Sequence, residues 1–162
     1  MKILAIDPGN EQSAYVIMGD ADFRPQAFAK VHNAGMRLVI MNESQNVDYV
    51  VIERVASYGM AVGRDVFETC EWVGRFSEIA MERGCEVAYI YRNEEKEFIC
   101  HDSRAKDSNI RRALIDRFAG HDLKNGKGTK KNPDFFYGFA KDCWAAFAVG
   151  YTYFEKRRHE EQ

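Results

Sequence analysis

The stretch Lys2-Ile3-Leu4-Ala5-Ile6-Asp7-Pro8-Gly9-Asn10 decides how this chain is read. A short apolar run stops at an acid, a proline and a glycine, the pattern of a strand that ends in a tight turn. An unbroken run such as Ile3 to Ile6 belongs to a central strand covered on both faces, where continuous hydrophobicity replaces alternation. Packing behind such a strand fixes the carboxylate at its exit, and fixed placement is what a metal ligand needs. Asp7 is therefore a candidate ligand. Its other reading is a turn cap, a common use of aspartate.

Working outward, Asp48-Tyr49-Val50-Val51-Ile52-Glu53 repeats the logic: an apolar strand ending on an acid. Between the two, 13–18 and 26–31 predict strands of an antiparallel meander, and 34–42 predicts a helix because Met36, Leu38, Val39 and Met41 do not alternate. Beyond Glu53, Ser57-Tyr58-Gly59-Met60 and Gly63 make a flexible turn into a long helix over 64–83, with Val66, Phe67, Cys70, Val73, Phe76, Ile79 and Ala80 at helical spacing. A strand is expected over 86–91, a charged connection over 92–97, and a helix from Ala105 or Ser108 through Phe118. The segment 121–133 has glycine, lysine and asparagine without apolar periodicity, so a mobile loop is expected. A last helix begins between Pro133 and Ala140 and runs to about Arg158. A meander followed by alternating strands and helices predicts an α/β fold, a mixed sheet flanked by helices on both faces.

At 162 residues the chain suits a single domain, and 46% hydrophobic with 30% charged residues describes a folded protein rather than a disordered one. No apolar stretch is long enough to span a bilayer and no signal-peptide pattern opens the chain, so a cytoplasmic location is expected. Cys70, Cys85, Cys100 and Cys143 lack zinc-site spacing and read as reduced, mostly buried thiols. A net charge of -2 gives no global sign of nucleic-acid binding, so such a role must rest on local clusters. Two exist: Arg104, Lys106, Arg111, Arg112 and Arg117, and then Lys124, Lys127, Lys130 and Lys131. Either can also be a solvated face, and the first contains Asp107 and Asp116.

A third acid, Asp142, stands in Gly138-Phe139-Ala140-Lys141-Asp142-Cys143-Trp144-Ala145-Ala146-Phe147-Ala148-Val149, an otherwise apolar and small-residue surface. An acid there costs free energy unless it is paired or binds a metal, although a place near a helix N-terminus also favours it. Glu53 can instead pair with Arg54 or another base. If Asp7, Glu53 and Asp142 converge, hard oxygen ligands without cysteine or histidine point to magnesium or manganese. Two such ions can activate water and stabilise the leaving oxygen in phosphodiester hydrolysis.

These segments resemble the RuvC type of Holliday junction resolvase in the ribonuclease H superfamily, especially its phage-borne members. The likeness rests on Ile6-Asp7-Pro8-Gly9, Val50-Val51-Ile52-Glu53, Arg104-Ala105-Lys106-Asp107-Ser108-Asn109-Ile110 and Asp142-Cys143-Trp144-Ala145-Ala146-Phe147-Ala148, in order along nearly the whole chain. It implies a ribonuclease H-like fold and a homodimer that uses divalent metal, Mg2+ or Mn2+ with two ions per site, to cleave four-way or other branched DNA. The resemblance places metal ligands at Asp7, Glu53 and Asp142, and a catalytic cation at Lys96, which otherwise reads as a solvated lysine among Glu94, Glu95 and Glu97. Lys106 falls one position before a second family lysine, with Asp107 in the expected place. Bacterial members usually carry another acid or a histidine one helical turn before Asp142, where this chain has Phe139; either water completes the site or another group such as Asp134 reaches it, the weaker choice at eight residues away. Phe67, Trp72, Val73 and Phe76 suggest a dimer face on the long helix. Tyr58 and Met60, just past Glu53, are expected to hold unstacked bases. Arg104, Lys106, Arg111, Lys127, Lys130 and Lys131 are expected to bind DNA phosphates. The competing readings are a non-catalytic branch-binding module of the same fold and a nuclease acting on structured RNA.

Overall fold

The computed structural model describes residues 1–57 and 59–161. In chain order the elements are β1 (Lys2–Asp7), β2 (Gln12–Gly19), β3 (Pro25–His32), α1 (Asn33–Glu43), β4 (Tyr49–Arg54), α2 (Arg64–Glu82), β5 (Glu86–Tyr91), α3 (Arg92–Cys100), α4 (Asp107–Phe118) and α5 (Lys141–Glu160). The strands form one mixed sheet in the order β3-β2-β1-β4-β5, antiparallel across β3, β2 and β1 and parallel across β1, β4 and β5.

The continuous apolar run of β1 is explained by its central place. Leu4 and Ile6 pack with Met36 of α1 and Val73 and Phe76 of α2, whereas Ile3 and Ala5 face α5 on the other side. Helices therefore cover both faces, as the sequence predicts. Gly150 lets α5 lie close to the sheet, since a Cβ there would stand 2.7 Å from Met18 Sδ and 3.0 Å from Ala5 Cβ.

Three expectations fail for identifiable reasons. The 92–97 connection is the first part of helix α3, started by a capping box in which Glu94 accepts the Tyr91 N–H at 2.7 Å and closed by His101 in the left-handed region. The last helix begins only at Lys141, because Gly138 at φ 85° breaks any earlier helix, and Phe136 and Phe139 turn into an aromatic cluster with Trp144 and Phe147. The segment 121–133 is tied down rather than loose. Asp134 accepts the backbone N–H groups of Gly120, His121, Asp122 and Phe135, and Asp122 accepts those of Asn125, Lys127 and Gly128.

The long helix also corrects the expected dimer face. Val73 and Phe76 are buried in the chain's own core and Trp72 packs against it, leaving Phe67 as the exposed large apolar residue of that set. Of the four free cysteines only Cys85 and Cys143 are buried; Cys70 is exposed. No helix among the described residues is long and apolar enough to cross a membrane.

Candidate active site

The site is built on one lateral row of the sheet. Lys30 of β3 pairs with Ala14 of β2, Ala14 pairs with Asp7 of β1, and Glu53 of β4 pairs with Ile90 of β5. Ile6 pairs with Ile52, so the next step of the parallel register sets Asp7 beside Glu53. Alternation puts Asp7 on the face of Ile3 and Ala5, and Glu53 on the face of Val51, the side covered by α5. Both acids thus leave the sheet at the same end and on the same face. The small Ala14 leaves space between Asp7 and Lys30. Above this row α5 begins, and Asp142 in its first turn lies 2.6 Å from Lys30 Nζ.

Asp7, Glu53 and Asp142 line a single cavity of about 480 Å³, together with Arg92 from the start of α3 and Asp107 and Arg111 from the start of α4. A neighbouring hollow of about 390 Å³ lies along the Pro8–Gln12 turn and shares Asp7 and Asp142 with the first. The shared acids stand where the two meet. The turn is held by Ser13 and Asn33: the Gly9 N–H donates to Ser13 Oγ at 3.2 Å and Asn33 Nδ2 donates to the Gly9 carbonyl at 2.9 Å.

Acids and bases share the cavity lining, Asp7, Glu53, Asp107 and Asp142 against Arg92, Arg111 and Lys141. Burial, and then the charge of Glu53, push Asp7 well above the usual carboxylate range. Burial also raises Glu53, against the pull of the Arg92 guanidinium. Two half-buried carboxyls that repel each other across a cavity carry a charge clash that a cation there would relieve. Among the described residues, no three acidic, histidine or cysteine side chains are gathered closely enough to hold one ion, and Asp142 is paired with Lys30. The donor set nonetheless fits magnesium or manganese. The ligating atoms along the cavity are carboxylate oxygens, and magnesium commonly takes only one or two carboxylates and keeps waters.

Of the residues singled out from sequence, Arg111 lines the cavity, its guanidinium over the Trp144 ring at 4.7 Å. Lys106 is the N-cap of α4 and exposed, Arg104 is exposed beside Asp102, and Lys127, Lys130 and Lys131 sit on the carboxylate-pinned loop. Arg112 is committed to Asp116 and to the Leu123 carbonyl, and Arg117 leans on Glu155. Lys96 does not line the cavity, although its charge helps lower the Asp107 pKa. Met60 is exposed, and Tyr58 lies outside the described residues. Asp134 is spent on backbone N–H groups and so supplies no further acid, and Phe139 lies buried in the aromatic cluster. Residues that sequence reasoning missed are Lys30, Arg92 and the wholly buried Glu95. The i, i+3 spacing of Arg92 and Glu95 was the available signal for the last two.

No protein-family model matches the sequence, and no curated protein matches it. Solved structures do. A structure of Thermus thermophilus RuvC superposes with a TM-score of 0.72 at 15% identity, covering 99% of this chain and 97% of that one. T. thermophilus RuvC in complex with its Holliday junction substrate gives 0.73 at 13% identity, covering 99% and 96%. The chain has the RuvC fold, a ribonuclease H-like α/β architecture.

Proposed function

We propose that the chain is a divalent-metal-dependent endonuclease that cleaves phosphodiesters in branched DNA, four-way junctions first among them. The observation that carries the reading is the meeting of Asp7, Glu53 and Asp142 on one cavity at the open end of the sheet. The RuvC structure bound to a Holliday junction has the same fold and supports the choice of substrate.

Asp7 and Glu53 would hold the ion from the sheet side and Asp142 from the helix side, once Asp142 leaves Lys30. When bound, magnesium or manganese supplies an activated water and charge neutralisation at the leaving oxygen. The protein's own share is positioning. The rigid row across the sheet fixes Asp7 and Glu53, and their repulsion, relieved by a cation, favours loading. The first residues of α3, α4 and α5 line the cavity, so three helix N-termini favour the negative charge of a phosphate there. Arg111 and Lys141 add positive charge to the wall. The lysines at 124, 127, 130 and 131 would bind flanking phosphates, giving an affinity that falls steeply with salt. Paired cuts in a junction call for two copies, and the exposed Phe67 on α2 supports a homodimer.

The Lys30–Asp142 ion pair favours one alternative, a module that binds branches without cutting them. Labelled four-way junctions, linear duplex and structured RNA incubated with Mg2+, Mn2+ or EDTA separate the possibilities. Junction-selective cutting that needs the metal is expected. Asp7→Asn should lower the cutting rate by about two to three orders of magnitude, the scale of losing one transition-state charge contact, while the mobility shift of the junction persists. A shift without cutting by the unaltered protein leaves the binding module, and preferential cutting of RNA replaces the substrate.

A further inference from the structure

Arg92 is the least expected charge in the cavity wall. It is the first residue of α3, where the helix N-terminus disfavours a cation. Its side chain is only 24% exposed, so it has also lost most of its hydration. Glu53 attracts it across the cavity, and two further carboxylates that bond to it directly differ in kind. Glu95, 0% exposed, accepts from one Nη beneath the cavity; Asp107, 84% exposed, accepts from the other Nη at 2.6 Å. The second oxygen of Glu95 has no hydrogen-bond partner.

A guanidinium needed only to neutralise Glu95 has no reason to reach the cavity. Arg92 reaches it, in the same wall as Asp7 and Glu53, and its outer partner is a solvated side chain that an incoming anion can displace. A planar fork anchored from below and loosely held from above is suited to bidentate capture of phosphate oxygens. We propose that Arg92 is the phosphate-gripping residue of this cavity: Glu95 fixes its orientation, Asp107 holds its outer face in the free protein, and the non-bridging oxygens of a phosphodiester replace Asp107. That the diester belongs to a DNA strand about to be cut rests on the proposed function; the gripping of phosphate does not.

The test is a titration of arginine-labelled protein in EDTA with the dinucleotide thymidylyl-thymidine monophosphate, followed through side-chain Nε–H resonances. The Arg92 signal is identified by its loss in Arg92→Lys. A saturable shift of that signal is expected. Asp107→Asn, which removes the competing partner and its negative charge from the cavity wall, should tighten binding by about two- to fivefold, the scale of an exposed ion pair. Arg92→Lys, which keeps a charge for Glu95, should weaken it by about tenfold, the scale of a lost charged hydrogen bond. An unmoved Arg92 signal, or an Asp107→Asn affinity that is unchanged or weaker, overturns the proposal. Because no metal or cleavage is involved, a protein that fails to cut junctions yet shows the Arg92 response loses the nuclease reading alone.

Discussion

At the scale of single residues, the decisive pair is Asp7 and Glu53. Their carboxyls are raised by burial, and that of Asp7 also by the charge of Glu53. Between the ordinary carboxylate range and the raised values, the folded chain therefore holds protons that the unfolded chain has released. Stability of the metal-free protein falls as pH rises through that window, because the unfolded state binds fewer protons there. Affinity for the proposed divalent ion should run the other way and grow over the same window, since the ion needs the deprotonated forms. Urea unfolding in EDTA from about pH 5 to pH 8 should show a downward contribution that is reduced in Asp7→Asn, and added Mg2+ should restore the high-pH stability. A difference profile between the two proteins that is flat, or rises with pH, contradicts the assignment. These acids were legible because each ends an apolar run. Lys30 was not, since its place beside Ala14 and Asp7 is a matter of strand register, which one strand's sequence does not contain.

At the scale of elements, the strands and long helices were readable from periodicity, and the failures lie where distant groups decide. Helix α3 has little apolar periodicity over its nine residues; it exists through Glu94 at its start, His101 at its end and the buried Arg92–Glu95 pair. The lysine loop carries an obvious local signal in Asp122, but the residue that closes it, Asp134, acts across a gap of 12 to 14 positions. Backbone hydrogen bonds hold the Asp134 carboxylate well below its usual pKa range, so its contribution is present at neutral pH and lost in strong acid. Asp134→Ala should cost about 3 kcal/mol at neutral pH, the scale of losing hydrogen bonds to a charged group, measured by urea unfolding. A loss below about 0.5 kcal/mol, the level of an indifferent surface change, would contradict a structural role for it. Helix α5 offers a second test. Gly150→Val places methyl groups against Met18 and Ala5 and should destabilise by about 1–3 kcal/mol through overpacking. Unchanged thermal stability would mean that the helix is not seated so closely.

At the scale of the molecule, the sheet order brings two strands remote in sequence, β1 and β4, side by side, and α5 returns across them to bring Asp142 over their ends. Three acids at positions 7, 53 and 142 become neighbours of one cavity only through that topology. The sequence suggested their convergence through the order and spacing of the motifs, whereas the Lys30 contact with Asp142 emerges only in three dimensions. Occupation of the proposed cation site is directly measurable by titrating Mn2+ into the protein and following free ion by electron paramagnetic resonance at neutral pH. Saturable binding is expected, weakened about tenfold or more in each of Asp7→Asn, Glu53→Gln and Asp142→Asn, in line with the loss of one charged contact. Equal Mn2+ binding by all four proteins would contradict a cation held jointly by these three carboxylates.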